Sequence, residues 1–210
     1  ISESRKRRAA VPMSSVKPTG ASDPRELARA RHESPSGRAP PPFNDPRLRA
    51  ESRIGAVINE KWTLERLLGV GGMATVYAAR HRNGARMAIK ILHPDLAKSE
   101  EVNQRFLREG YAANKVEHPG VVKVLDDDVV HGGQDDGTAY LVMELLEGES
   151  LESWMHRVGL PMEEDEVLAI IESVLDVLVH AHARGVIHRD LKPENLFLER
   201  VSTDRGPLRF

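Results

Sequence analysis

The sequence contains no cysteine. Disulfide scaffolds, thiolate metal sites and thiol nucleophiles are therefore excluded, and a reducing compartment is compatible with the composition. Aromatic residues make up only 4% of the 210 residues. No apolar run approaches the roughly 18 residues that span a bilayer. The Arg5–Arg8 basic cluster is followed by no apolar stretch, so the start does not read as a secretory signal. It opens on Ile1, and the reading expects a truncated start. Net charge is small, at −2, but it is unevenly spread: residues 1–53 carry twelve Lys/Arg against six Asp/Glu, and the acidic excess lies in the remainder.

What is present divides the chain in three. Eight prolines among Ser, Arg and Ala, with Phe43 the only aromatic, fill residues 1–53. Such a composition cannot offset chain entropy by burial. Residues 1–57 are expected to be a disordered tail, and its basic quartet is read as solvated charge with no specific nucleic-acid partner. From Ile58 the pattern turns to short alternating runs at Trp62–Leu68, Ala74–Arg80 and Met87–Leu92, with Asn83-Gly84 as a hairpin signal between the last two. Ser99–Val116 has helical spacing and Ser99 stands where a cap would. Val121–Asp126 and Ala139–Met143 read as two further strands, giving a five-stranded α+β unit over residues 58–148. After Gly148 the chain is helical, at Leu151–Val158 and Glu164–Arg184, where Val167, Leu168, Ile171, Val174, Leu175, Leu178 and Val179 make a wide apolar stripe ended by Gly185. Residues 149–210 are thus the start of a second, mainly α unit.

Three constellations carry chemistry. In Gly69-Val-Gly71-Gly72-Met-Ala74-Thr-Val76 the glycines let backbone N–H groups approach a phosphate. Those letters also satisfy the dinucleotide fingerprint, but that motif opens a helix and this one leads into a hairpin. No Gly-Lys-Ser/Thr is present, which removes the Walker A alternative. Met87-Ala-Ile-Lys90 places a lysine on a strand beneath the loop, and Glu109, mid-helix, can pair with it. Finally comes His188-Arg189-Asp190-Leu-Lys192-Pro-Glu194-Asn195. His180, His182 and His188 do not share a face and are read as helix surface and core, and the aspartate runs at 126–128 and 135–136 as solvated loops.

In that order and spacing, these segments resemble the protein kinase superfamily from about Trp62 to Phe210, and the Gly-Gly-Met-Ala stretch resembles its bacterial Ser/Thr members. The resemblance implies a bilobal fold whose large lobe is incomplete here, and transfer of the γ-phosphoryl of ATP to Ser or Thr hydroxyls of proteins. It implies Asp190 as catalytic base, Lys192 on the transferring phosphoryl and Asn195 as a Mg²⁺ ligand. Lys90, held by Glu109, would clamp phosphates below Gly69, Gly71 and Gly72. Met143 would be the gatekeeper, with backbone groups of Glu144 and Leu146 on adenine and Val76, Ala88 and Phe197 forming its slot. Arg189 resembles the arginine that meets a phosphorylated activation loop. Ala74 replaces the third glycine, which narrows backbone freedom slightly. Asp-Phe-Gly, which would supply the main Mg²⁺ aspartate, is expected next after Pro207-Leu-Arg-Phe210, so the chain as given is expected to be a poorly active fragment. Cytoplasmic placement is expected, with a membrane anchor beyond residue 210 left open, and a homodimer is compatible. The reading from another class is a non-catalytic nucleotide-binding or scaffold module.

Overall fold

The computed structural model describes residues 7–10, 45–159 and 162–200. The expectations for residues 1–6, 11–44 and 201–210 lie outside them.

Most of the first lobe is one twisted antiparallel sheet. Its strands are β2 (Val57–Ile58), β3 (Trp62–Val70), β4 (Ala74–His81), β5 (Arg86–Leu92), β6 (Val124–Val129) and β7 (Ala139–Met143), in the order β2-β3-β4-β5-β7-β6. The expected five strands are all present, and the two-residue β2 adds a sixth at the edge. β4 and β5 turn at Asn83-Gly84, where Gly84 takes φ +94° and the Asn83 side chain accepts the Ala85 N–H at 3.0 Å. A two-residue side-chain period gives the sheet two faces. Tyr77, Ala79, Ile89, Ile91, Tyr140 and Val142 bury on one, and Ala74, Leu92, Ala139 and Leu141 bury on the other against Phe106.

Phe106 belongs to α3 (Glu100–Asn114), which follows the short α2 (Pro94–Ala97). Glu100 and Glu101 in its first turn complement the helix dipole. Ser99 occupies the N-cap position but makes no side-chain capping bond, contrary to expectation. The strand expected at Val121–Asp126 forms three residues later. Val121 is buried in the core that joins the lobes, and Asn114 clamps Val124 instead, accepting its N–H at 3.0 Å and donating to its carbonyl at 2.6 Å. The ladder starts where that clamp ends.

The disordered-tail reading of residues 1–57 needs correction over 45–57. There α1 (Pro46–Glu51) forms behind Asp45, whose side chain accepts the Arg47 N–H. Ala50 is buried against the sheet, its carbonyl accepts the Tyr77 hydroxyl at 3.0 Å, and Arg53 pairs with Asp135 at 2.6 Å. These tertiary contacts supply what the local composition does not. Within 1–57, β1 (Arg7–Ala10) also pairs antiparallel with β9 (Phe197–Arg200), which pairs on its other side with β8 (Gly148–Ser150).

The second lobe holds α4 (Leu151–Val158), capped by Ser150, and α5 (Glu164–Ala183), closed at Gly185 with φ +70°. Only part of the expected stripe on α5 is covered. Of its residues Val174 alone is buried, Val167 and Leu178 are half-buried, and Leu168, Ile171, Leu175 and Val179 are exposed, while Val177 and Ala181, outside the stripe, are buried beside Val174. The covered side shares one core with Val116 and Val121, next to α3, so the lobes are joined by apolar packing as well as by the chain. Gly120 permits this approach, since a Cβ there would stand 2.5 Å from Val177 Cγ2.

Candidate active site

Strand register assembles the first half of the site. Gly69 pairs with Val76, Val76 with Lys90 and Lys90 with Leu141, while Ala78 pairs with Ala88 and Ala88 with Met143. Directly paired residues share a face, so Val76, Ala88, Lys90 and Met143 all project from the α3-facing side of the sheet. The glycine loop joins β3 to β4 and is braced by the Gly71 N–H donating to the Ala74 carbonyl at 2.9 Å. Gly69 and Gly72 are exposed, neither has positive φ, and a Cβ on either would meet nothing within 4 Å. Neither conformation nor internal packing demands glycine there. What glycine would still permit there is close approach by a ligand.

Lys90 and Glu109 do not form the contact pair the sequence suggests. The Glu109 carboxylate is 7% exposed and accepts from Arg105 Nε at 3.1 Å, one turn back on α3, while Lys90 Nζ stands 5.6 Å above the Phe106 ring. An i, i+4 partner on the same helix is always within reach, whereas the sheet lysine has to cross the space between elements. The two charges still influence each other. Burial lowers the Lys90 ammonium pKa, an effect Glu109 opposes, and burial raises that of Glu109, opposed by Arg105 and then Lys90. Arg105 was legible as Arg-x-x-x-Glu but carries no motif that marks it.

The hinge is anchored from outside. Glu144 donates its N–H to the Lys123 carbonyl at 3.1 Å, and its carboxylate accepts the Lys123 N–H at 2.8 Å. Leu145 and Leu146 follow, half-buried, and then the chain enters β8. At Gly148 φ is +155° and a Cβ would run into the Leu198 carbonyl and stand 3.0 Å from Phe197 Cε1. Glycine thus lets β8 press onto β9 and sets half-buried Phe197 beside the hinge exit.

The second half is the loop at 188–195. His188 is buried, and its carbonyl accepts the Asp190 N–H at 2.9 Å. Between them Arg189 is held at φ +61°, an uncommon conformation for a long side chain. Asn195 Nδ2 donates to the Asp190 carbonyl at 2.8 Å and to Asp190 Oδ2 at 3.0 Å, and Lys192 Nζ lies 3.8 Å from the same oxygen. Asp190 and Lys192 side chains are 44% and 45% exposed, so a base and a cation stand together within reach of solvent.

Comparison with known proteins fits this geometry. The protein kinase domain profile matches residues 62–205, more than half of the chain. The chain belongs to the protein kinase family. It is 39% identical over 156 residues to the serine/threonine-protein kinase Pkn1 of Myxococcus xanthus, covering 74% of this chain and 21% of that protein. It is 36% identical over 149 residues to the serine/threonine-protein kinase PrkC of Bacillus subtilis, covering 70% and 22%. PknA of Mycobacterium tuberculosis, also a serine/threonine-protein kinase, is 35% identical over 147 residues, covering 70% and 34%. The chain therefore spans between a fifth and about a third of the length of these relatives. The crystal structure of the Mycobacterium tuberculosis PknI kinase domain superposes with a TM-score of 0.56 at 32% identity, over 70% of this chain and 57% of that one. The α+β architecture with a curled antiparallel small lobe is thus a partial kinase domain, and its relatives are bacterial Ser/Thr kinases.

Proposed function

We propose that this kinase domain, within the protein that carries it, transfers the γ-phosphoryl of ATP to Ser or Thr hydroxyls of protein substrates. One observation carries the reading: Asp190, Lys192 and Asn195 meet around a single carboxylate oxygen at a half-exposed loop. Phosphoryl transfer asks mainly for positioning and charge neutralisation, and this trio supplies both. Asp190 accepts the proton of the attacking hydroxyl, and Lys192 faces the charge that spreads over the transferring group. Gly69 and Gly72 let the backbone approach the phosphates on a loop that the Gly71 N–H braces from within, with Lys90 below them and Glu109 biasing its charge. Glu144 and Leu146 bond adenine through their backbones, between Val76 and Ala88 above and Phe197 below, with Met143 at the back.

Mg²⁺ fits the donor set, because Asn195 Nδ2 is committed to Asp190 and its oxygen remains as a hard acceptor. When bound, the ion would neutralise phosphate charge. No helix among the described residues is long and apolar enough to cross a membrane. The domain is read as acting in the cytoplasm on proteins, with no nucleic-acid partner.

The test is transfer of labelled γ-phosphate to a Ser/Thr peptide by the intact protein. Asp190→Asn should lower turnover by at least about a hundredfold, with ATP affinity changed less than about threefold. Full turnover in that variant would sink the assignment, as would unaltered turnover in Lys90→Met for the role of Lys90. ATP binding without transfer by the unsubstituted protein would favour the scaffold reading.

A further inference from the structure

Three side chains able to ligate a metal converge where the loop after α3 meets α5. Asp176 and His180 lie one turn apart on α5 and share a face, and His118 comes to them from the loop. His118 Nε2 is 3.0 Å from Asp176 Oδ2, and the rings of His118 and His180 have centroids 4.6 Å apart. One nitrogen of each ring and a carboxylate oxygen all lie within 4.8 Å of one another. Tetrahedral coordination with bonds near 2.0–2.1 Å places ligand atoms about 3.3 Å apart. One edge of the set is already that short. Rotation of Asp176 and His180, whose side chains are 55% and 42% exposed, can draw in the others without moving the backbone.

The partners of the ring nitrogens select a tautomer for each neutral imidazole. His180 Nδ1 lies 2.8 Å from the Asp176 carbonyl, which can only accept, and 3.6 Å from Asp176 Oδ1, so that nitrogen carries the proton, Nε2 keeps its lone pair, and ligation through Nε2 requires the exposed ring to turn. A backbone carbonyl on the far nitrogen is the usual outer contact of a ligating imidazole. His118 differs. The Gly120 N–H donates to its Nδ1 at 3.0 Å, so the proton sits on Nε2, facing Asp176. A cation at Nε2 moves that proton to Nδ1 and gives up the Gly120 bond, which sets metal entry against one backbone hydrogen bond. Asp176 supplies the negative charge of the set, while Arg184 pairs with Glu117 at 3.5 Å and also donates to the His180 carbonyl at 3.4 Å.

We propose that His118, Asp176 and His180 form a site for a divalent transition metal of the zinc class, with the fourth position open to water. Two imidazoles and one carboxylate suit zinc, cobalt or nickel rather than magnesium or calcium. The ion would staple the loop at 115–123 to α5, and it involves none of the residues assigned to phosphoryl transfer, so the two readings stand or fall separately.

The experiment uses the intact protein, stripped with chelator and free of nucleotide. Zn²⁺ titration should show one equivalent bound and a raised unfolding temperature, and Co²⁺ should give the intense visible bands of a four-coordinate centre. His180→Ala, at a half-exposed position, should leave metal-free unfolding unchanged and weaken binding at least about tenfold. The Gly120 amide should exchange faster with metal bound, a change that surface adsorption of zinc would not produce. No binding, equal binding by His180→Ala and Asp176→Asn, or a weak six-coordinate Co²⁺ spectrum would overturn the proposal.

Discussion

Replacing Gly69 or Gly72 with alanine separates a ligand's demand from the fold's. Both have ordinary φ, and a Cβ at either finds no atom within 4 Å. On structural grounds the methyl group is tolerated, and it restricts the unfolded chain, so each variant should be more stable by about 0.5 kcal/mol, or about 1–2 °C in Tm. If the backbone there receives phosphates, the same methyl group stands in the ligand's path. Losing one charge-assisted N–H bond costs ~1.5 kcal/mol, about a tenfold weaker Kd for ATP. Gly148→Ala is the control. Its Cβ would collide with the Leu198 carbonyl at φ +155°, and a loss above about 2 kcal/mol is expected from strain and overpacking together. Calorimetric titration with ATP and chemical denaturation without it, on all three variants, give both quantities. Unchanged ATP affinity in Gly69→Ala and Gly72→Ala would refute the argument that an external ligand requires these glycines.

Two further outcomes follow from the packing. Glu109 is buried and its folded-state pKa is raised, so its contribution to stability is present below the usual carboxylate range and lost as pH rises through the folded value. Glu109→Gln should flatten that loss in a denaturation series run upward from the usual carboxylate range, about pH 4, and a pH profile identical to wild type would mean that the carboxyl is not penalised. Asn114→Ala removes both bonds to Val124 and leaves its buried backbone groups unsatisfied, which should cost about 2 kcal/mol and speed amide exchange along β6. Unaltered exchange there would show that the clamp does not start the strand.

Where the pattern was local, the sequence was a good guide. Ala139–Met143 and Leu151–Val158 form as written, and the Asn83-Gly84 turn fixes β4 on β5. Asp190, Lys192 and Asn195 could be named because motif spacing within one loop becomes contact directly. Elsewhere, residues distant in the chain decide the structure. β6 looked like a strand ending in solvated aspartates, yet Asp126, Asp127 and Asp128 pair with Val142, Leu141 and Tyr140, and Val121 is taken by the core between the lobes. Nothing in Pro46–Glu51 announces that Tyr77 will bond it. The mid-helix place of Glu109 suggests Lys90 as its partner, and the nearer Arg105 takes its carboxylate. The α5 stripe read as wide because apolar spacing does not say which part finds a partner.

The packing of Val116, Val121 and Gly120 against Val177 has a mechanical consequence. The lobes are attached at two separate places, the covalent crossing at 144–148 and this apolar contact, and two points of attachment define an axis. Sliding and twisting would open the contact at Val177, whereas swinging about the line between the points would not. The contact at Val177 thus favours a swing of one lobe on the other over a slide or a twist.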